Sequence, residues 1–216
     1  MIILKDTERV YSEVTEAIVS RFGKTFGWDI KAKMMGVKER EAANILISEL
    51  KLPMTTDEYL AERNAGHADK FPHCKPMPGV MRLVLHLKEN GIPIVVATSS
   101  HRKAFELKAS NNQALFSQFE GNIVCGDDVR VVNSKPAPDI FLAAASDIKS
   151  ANPETCLVFE DAPSGVKAGL NAGMNVVWIP DPNLAIDHEL ASRCVEVLKS
   201  MDEFNPIKYG LPPFPL

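Results

Sequence analysis

The stretch TCLVFEDAPSGVKAGLNAGMNVVWIP, residues 155–180, contains two short apolar runs separated by a helical pattern. The runs at 156–159 and 176–179 are continuous rather than alternating, which is typical of strands buried on both faces. The helical pattern between them is closed by Gly173, a residue that commonly follows the end of a helix. A strand, a helix and a second strand in this order predict a parallel βαβ unit.

The same alternation of strands and helices is found in the residues that precede this stretch. Apolar runs IPIVVAT (92–98) and GNIVCGD (121–127) predict two more strands, and helical patterns cover about 102–111 and 138–148. Alternating strands and helices predict an α/β fold, here a Rossmann-like doubly wound parallel sheet with helices on both faces. Ligands of such sheets bind beyond the carboxyl ends of the strands, so site residues are expected there.

A helical segment precedes this core. Apolar residues recur at helical spacing after Asp6, over about 38–50 and over 56–70. The segment FPHCKPMPGV (71–80) has three prolines and a glycine, which is typical of a linker. We therefore expect residues 1–6 to be a remnant of a first core segment, 7–71 to be a helical insert and 72–216 to be the α/β core.

Composition excludes several classes of protein. The 216 residues are 45% hydrophobic, carry a formal net charge of −4 and contain no apolar run long enough to span a membrane. A basic patch for nucleic acid is not expected at this charge. The four cysteines show no C-x-x-C spacing, which indicates reduced thiols and a cytoplasmic protein. Monomer is the default expectation for the oligomeric state.

Two carboxylates, Glu160 and Asp161, follow directly after the apolar run at 156–159. Adjacent like charges repel unless a cation neutralises them, and oxygen ligands of this kind suit Mg²⁺. The pair is therefore a candidate metal site. A solvated loop or a cap of the next helix explains the same residues when they are considered alone.

Lys135 and the Thr98-Ser99-Ser100 segment are candidate phosphate ligands. Lys135 lies in SKPAPDIF, where prolines restrict the turn before a helix, so its ammonium group could balance the charge of a phosphate. Hydroxyl groups and backbone N–H groups after a strand can hold an anion. An ordinary surface lysine and ordinary helix capping are the alternatives for each signal by itself.

The order and spacing of these signals resemble those of the haloacid dehalogenase-like phosphohydrolases. Thr98 matches the second motif of that family, Lys135 the third, and VFEDAPSGVKAGLNAGM (158–174) the fourth. A helical cap inserted after Asp-Thr-Glu resembles the β-phosphoglucomutase-like group. Three stretches are most similar to pseudouridine-5′-phosphatases: MMGVKEREAANILI (34–47), GDDVRVVNSKPAPDIFLAAA (126–145) and YGLPPFPL (209–216).

The resemblance implies a Mg²⁺-dependent phosphatase of a small phosphorylated metabolite. Nucleoside and sugar monophosphates are the first candidate substrates. It implies catalytic roles for Thr98 and Lys135, phosphate binding by these two and Ser99, and Mg²⁺ binding by Glu160 and Asp161. Lys38, with Arg40 beside it on the second cap helix, is a candidate for substrate contacts; a solvated charged face is the alternative.

The first motif of the family would carry the nucleophilic Asp and the acid/base Asp. Aligning Asp6-Thr7-Glu8 with this motif places Met1 at the acid/base position and the nucleophile before it. We therefore expect a truncated first, central strand and an inactive chain as written. Either the start is misplaced or the short form is a non-catalytic, phosphate-binding remnant. A sugar phosphomutase on the same scaffold is a further alternative, and the identity of the substrate is not decided by the sequence.

Overall fold

The structure is a computed structural model that describes residues 7–34, 39–149 and 152–215. Its contacts separate the chain into two compact units. The smaller is Asp6–Cys74, and the larger includes Lys75–Leu216. In the described part of the chain, no helix is long and apolar enough to cross a membrane.

The smaller unit is helical. Its helices are α1 (Thr7–Ser20), α2 (Trp28–Met34), α3 (Glu39–Leu50) and α4 (Thr56–Lys70), followed by a 3₁₀ turn at Phe71–His73. The three helices expected from apolar spacing are confirmed, while α2 was not predicted because seven residues give too short a pattern.

Specific contacts hold these helices together. Thr55 caps α4, since its side chain accepts from the Glu58 backbone N–H and the Glu58 carboxylate accepts from the Thr55 N–H in return. The hydroxyl groups of Thr15 and Tyr59 form a buried hydrogen bond of 3.1 Å between α1 and α4. Neither buried hydroxyl group lacks a hydrogen-bond partner, because each bonds to the other.

The larger unit alternates strands and helices. Its helices are α5 (Val80–Glu89), α6 (Arg102–Ala109), α7 (Gln113–Phe116), α8 (Asp139–Asp147), α9 (Pro163–Asn171) and α10 (His188–Ser192). Its strands are β1 (Val96–Thr98), β2 (Ile123–Cys125), β3 (Leu157–Glu160), β4 (Asn175–Trp178) and β5 (Glu196–Val197). Short 3₁₀ turns lie at Ser117–Phe119, Pro153–Thr155, Met201–Glu203 and Pro206–Tyr209.

All strand pairs are parallel. Strand β1 pairs with β2, with Thr98 opposite Cys125, and β3–β4–β5 form a second hydrogen-bonded group, with Glu160 opposite Trp178. These pairings are those of the described residues. The expected truncated first strand falls on residues 1–6, which lie outside the described residues.

Both faces of the strands are buried. Alternate strand residues such as Val96 and Phe159 pack with α5 and the Phe119 turn, while Ala97 and Val158 pack with α8 and α9 on the other face. Helices therefore cover both sides of parallel strands, and the predicted doubly wound α/β core is confirmed.

One strand is shorter than expected, and another was not expected. The strand expected over 92–98 covers only Val96–Thr98, because pairing with the neighbouring strand begins at the Val96 N–H, which donates to the Asn122 carbonyl. Strand β5 was not predicted, since two residues cannot display an apolar pattern.

The proline-rich tail lies against α5; its prolines disfavour both a helix and a central strand. The His86 Nε2–H donates to the Pro212 carbonyl at 2.8 Å, and the Arg82 guanidinium lies 4.4 Å from the centre of the Phe214 ring. Leu211 and Phe214 pack against the apolar cluster beneath α5.

Candidate active site

Thr98 and Ser99 lie where β1 ends, at the carboxyl edge of the strands. The Thr98 hydroxyl accepts from the Ser100 N–H at 3.2 Å, which shapes the turn, and Ser99 is exposed. The loop after β2 approaches this turn closely, because the Gly126 N–H donates to the Ser100 carbonyl at 2.9 Å. A Cβ atom at Gly126 would lie 2.4 Å from the Ser99 carbonyl oxygen, so this position requires glycine.

Lys135 and Glu160 form a buried ion pair. The Lys135 Nζ lies 2.5 Å from Glu160 Oε1, and the two side chains are 6% and 0% exposed. The same ammonium group lies 4.8 Å from the centre of the Phe141 ring. A buried charge needs a partner of opposite sign, and each of these two side chains supplies that partner to the other.

Backbone groups complete the environment of Glu160. Its Oε2 accepts from the N–H groups of Asp161 at 3.1 Å and of Ala162 at 3.3 Å. A Cβ atom at Gly165, in the first turn of α9, would lie 2.1 Å from the Glu160 Cδ. The carboxylate therefore fills the space that a side chain at Gly165 would need.

Trp178 touches the same turn. It is fully buried, and its indole N–H donates to the Asp161 carbonyl at 2.8 Å. Trp178 packs in the core, and its hydrogen bond could not be predicted because an apolar run gives no signal for one. The close contacts of Gly126 and Gly165 were not predicted; the signal for Gly165 is a glycine early in a helix, where helix propensity disfavours it.

A cleft of ≈ 170 Å³ brings Ser99 and Lys135 together. Its lining combines hydroxyl groups, one ammonium group and apolar side chains: Ser99, Gly126, Val131, Val132, Ser134, Lys135 and Ile140. A cation and hydroxyl donors beside free space can hold an anion such as a phosphate group. A larger depression of ≈ 290 Å³ lies near Ile94 and Asn122, before the strands begin, and contains none of the predicted site residues.

Ion pairs and hydrogen bonds brace the loop between β2 and α8, which lines the cleft. Arg130 bonds to both Asp128 and Asp147, and its guanidinium group lowers the pKa of Asp128 to about 2. The Asp139 carboxylate accepts from the N–H groups of Val132 and Asn133, and these bonds lower its pKa. The loop is thus attached to α8 at two places.

The acidic pair at Asp127-Asp128 lies in the turn after β2. The Asp127 carboxylate accepts from the Arg102 N–H at 2.9 Å, and the Asp128 N–H donates to the Cys125 carbonyl at 3.0 Å. His101 caps α6 through its Nδ1, which accepts from the Ala104 N–H at 3.2 Å.

Residues that could hold Mg²⁺ are Glu160, the last residue of β3, and Asp161, which follows it. Among residues 7–34, 39–149 and 152–215, no three His, Cys, Asp or Glu side chains are placed to share a metal ion. Mg²⁺ commonly takes only one or two protein carboxylates and completes its shell with water and substrate phosphate, so Asp161 and Glu160 fit this ion. Asp161 is half-buried directly after the strand, and the two oxygens of Glu160 accept from Lys135 and from the Asp161 N–H.

The two candidate cap residues belong to the helical unit. Lys38 lies outside the described residues. Arg40 is at the surface of the helical unit, where it forms an ion pair with Asp57.

Comparison with known proteins decides the family. The family model of the haloacid dehalogenase-like hydrolases matches residues 2–179, most of the chain. This chain belongs to the haloacid dehalogenase-like hydrolases. The sequence-based prediction of the family is therefore confirmed, and the α/β core described above is its fold.

Several curated members of the family are similar to this chain. The (DL)-glycerol-3-phosphatase 2 of Arabidopsis thaliana is 45% identical over 98% of this chain and 89% of its own length. The Drosophila melanogaster protein named "Probable pseudouridine-5′-phosphatase" is 41% identical over 98% of this chain and 91% of its own. The predicted likeness to pseudouridine-5′-phosphatases is thus confirmed, and the glycerol-3-phosphatase, at 45% against 41% identity, is a relative that the sequence motifs did not indicate.

A solved structure shows the same fold. The haloacid dehalogenase family hydrolase of Deinococcus radiodurans R1, crystallised with bound phosphate and sodium, aligns with a TM-score of 0.81. The alignment covers 97% of this chain and 93% of that one at 22% sequence identity.

Proposed function

We propose that this protein is a Mg²⁺-dependent phosphatase of small phosphorylated metabolites, with glycerol 3-phosphate and pseudouridine 5′-phosphate as the first substrates to test. The observation that carries the proposal is the buried Lys135–Glu160 pair beside the cleft that also contains Ser99. Both relatives are named phosphatases, which favours hydrolysis over the phosphomutase alternative.

In this proposal each residue has a defined task. Ser99 and Thr98 bind phosphate oxygens with their hydroxyl groups, and the Lys135 ammonium group balances negative charge on the phosphoryl group as it is transferred. Glu160 keeps Lys135 in place. Asp161, with Glu160, would hold the Mg²⁺ ion, which supplies electrostatic stabilisation of the phosphoryl oxygens when bound.

The proposal assigns the attacking carboxylate to the first motif, which the family pattern places before Asp6-Thr7-Glu8. Turnover depends on that carboxylate, since loss of a nucleophile can cost up to about 10⁶-fold in kcat. The proposal also includes the role of a cap for the helical unit, with Lys38 and Arg40 as candidate substrate contacts that affect KM.

Two proteins test this proposal: residues 1–216, and the same chain extended by the codons that precede it in the gene. Phosphate release from a panel of phosphomonoesters is measured with Mg²⁺, with EDTA, and with Mg²⁺ restored. We expect release by the extended chain, its loss in EDTA and its recovery with Mg²⁺. An extended chain that hydrolyses no phosphomonoester rejects the proposal, as does turnover that EDTA leaves unchanged.

A non-catalytic phosphate-binding protein is the second candidate. The observation that favours it is that the cleft and the Lys135–Glu160 pair are built from residues 99–160 alone. It predicts that inorganic phosphate raises the melting temperature of residues 1–216 without any hydrolysis, because a ligand of the folded state stabilises it. Replacing Ser99 with alanine reduces that shift if phosphate binds in the cleft.

A further inference from the structure

Trp178 contacts the turn that follows β3. It is the last residue of β4, lies opposite Glu160 in the strand register and is fully buried. An indole N–H is a donor only, and here it donates to the backbone carbonyl of Asp161 at 2.8 Å.

The peptide groups on both sides of Asp161 are therefore held. The Asp161 N–H donates to Glu160 Oε2 at 3.1 Å, and the Asp161 carbonyl accepts from Trp178. The strand itself continues to this point, because the Ile179 N–H donates to the Glu160 carbonyl at 2.7 Å. Fixing both backbone groups of one residue also fixes the direction in which its Cα–Cβ bond leaves the backbone.

We propose that Trp178 is a positioning residue for the metal site: its indole N–H orients the backbone of Asp161 so that the carboxylate is ready to bind Mg²⁺. This inference rests on the function proposed above. Partners that orient a metal-binding residue without touching the metal commonly affect affinity by tenfold or more. The alternative is that the hydrogen bond merely satisfies a buried indole, in which case its loss lowers stability and leaves metal affinity unchanged.

The two tryptophans of the chain provide a matched pair of variants. Trp178→Phe removes the N–H donor at the site. Trp28→Phe makes the same chemical change at the start of α2 in the helical unit. A second variant of the site replaces Trp178 with 3-benzothienylalanine, in which sulfur takes the place of the indole nitrogen, so that the shape of the ring system is kept and the N–H is lost.

The measurements use the upstream-extended chain. The Mg²⁺ dissociation constant is determined by isothermal titration calorimetry, the Mg²⁺ dependence of kcat by phosphate release, and the melting temperature in EDTA. We expect both variants at position 178 to bind Mg²⁺ about tenfold more weakly, and the Trp28→Phe chain to bind as the wild type does. Saturating Mg²⁺ should restore most of the kcat of the position 178 variants, which a packing defect would not allow.

Three outcomes separate the possibilities. Unchanged Mg²⁺ affinity in the benzothienylalanine variant, with a folded protein, overturns the positioning role whatever happens to Trp178→Phe. Equal weakening in Trp28→Phe also overturns it, because the effect would then not depend on Asp161. If the wild-type chain itself binds no Mg²⁺, the function proposed above fails at the metal, and the role of Trp178 fails with it.

Discussion

Removing the charge of Lys135 should destabilise the core far more than removing a surface charge does. In a Lys135→Met chain the fully buried Glu160 carboxylate loses its ionic partner. Breaking a buried pair by removing one partner costs roughly 3–5 kcal/mol. For a chain of this size each kcal/mol lowers the melting temperature by about 2–4 °C, so the expected decrease is roughly 6–20 °C.

A second substitution separates charge from packing. In Lys135→Met/Glu160→Gln the amide has the size of the carboxylate, so it fits beside Gly165, and its oxygen can still accept from the N–H groups of Asp161 and Ala162. No charge is then left unpaired. We expect the double variant to be more stable than Lys135→Met, with an interaction energy of about 2–3 kcal/mol between the two positions.

The assay is thermal and urea unfolding at pH 7 of the wild type, both single variants and the double variant. Lys103→Met, at an exposed position of α6, is the matched control and should change stability by less than about 0.5 kcal/mol. The reasoning is refuted if Lys135→Met melts like Lys103→Met, or if the double variant is no more stable than Lys135→Met.

Two further predictions concern the surroundings of the cleft. Gly165→Ala places a methyl group against the Glu160 carboxylate and should lower stability by about 1–3 kcal/mol and reduce phosphate release by the extended chain; a fully stable variant would show that the contact can relax. Because Arg130 lowers the pKa of Asp128 to about 2 in the folded protein, below the unfolded value of about 3.9, the stabilisation is present above about pH 4 and is lost as the pH falls toward 2. Asp128→Asn should therefore melt below the wild type at pH 7 and approach it as the pH falls from about 4 to 2, and a gap that stays constant over this range would contradict the ion pair.

Much of the core could be predicted from the sequence because its strands are apolar and its helices follow them regularly. Residues 156–159 and 176–179 indicated two buried strands, and both are present as β3 and β4. The start of β1 could not be predicted. A strand begins where its hydrogen bonds to the neighbouring strand begin, and the apolar residues at 92–95 do not show where that is.

Residue types suggested the candidate site, but the contacts between its side chains could not be predicted. Lys135 and Glu160 are 25 positions apart, and nothing in the sequence indicates that they pair inside the protein. Adjacent carboxylates suggested one shared role for Glu160 and Asp161. The structure gives them different surroundings, because the strand holds Glu160 inside the core and ends before Asp161.

The backbone contact between Gly126 and Ser99 also restricts movement of the turns after β1 and β2, which line the cleft. The turns after β1 and β2 lie against each other without an intervening side chain, so a displacement of one turn must displace the other. Insertions or bulky replacements in either turn would open the gap between them and disturb both together. New substrate preferences are therefore more easily acquired by exchanging side chains elsewhere than by remodelling these two turns.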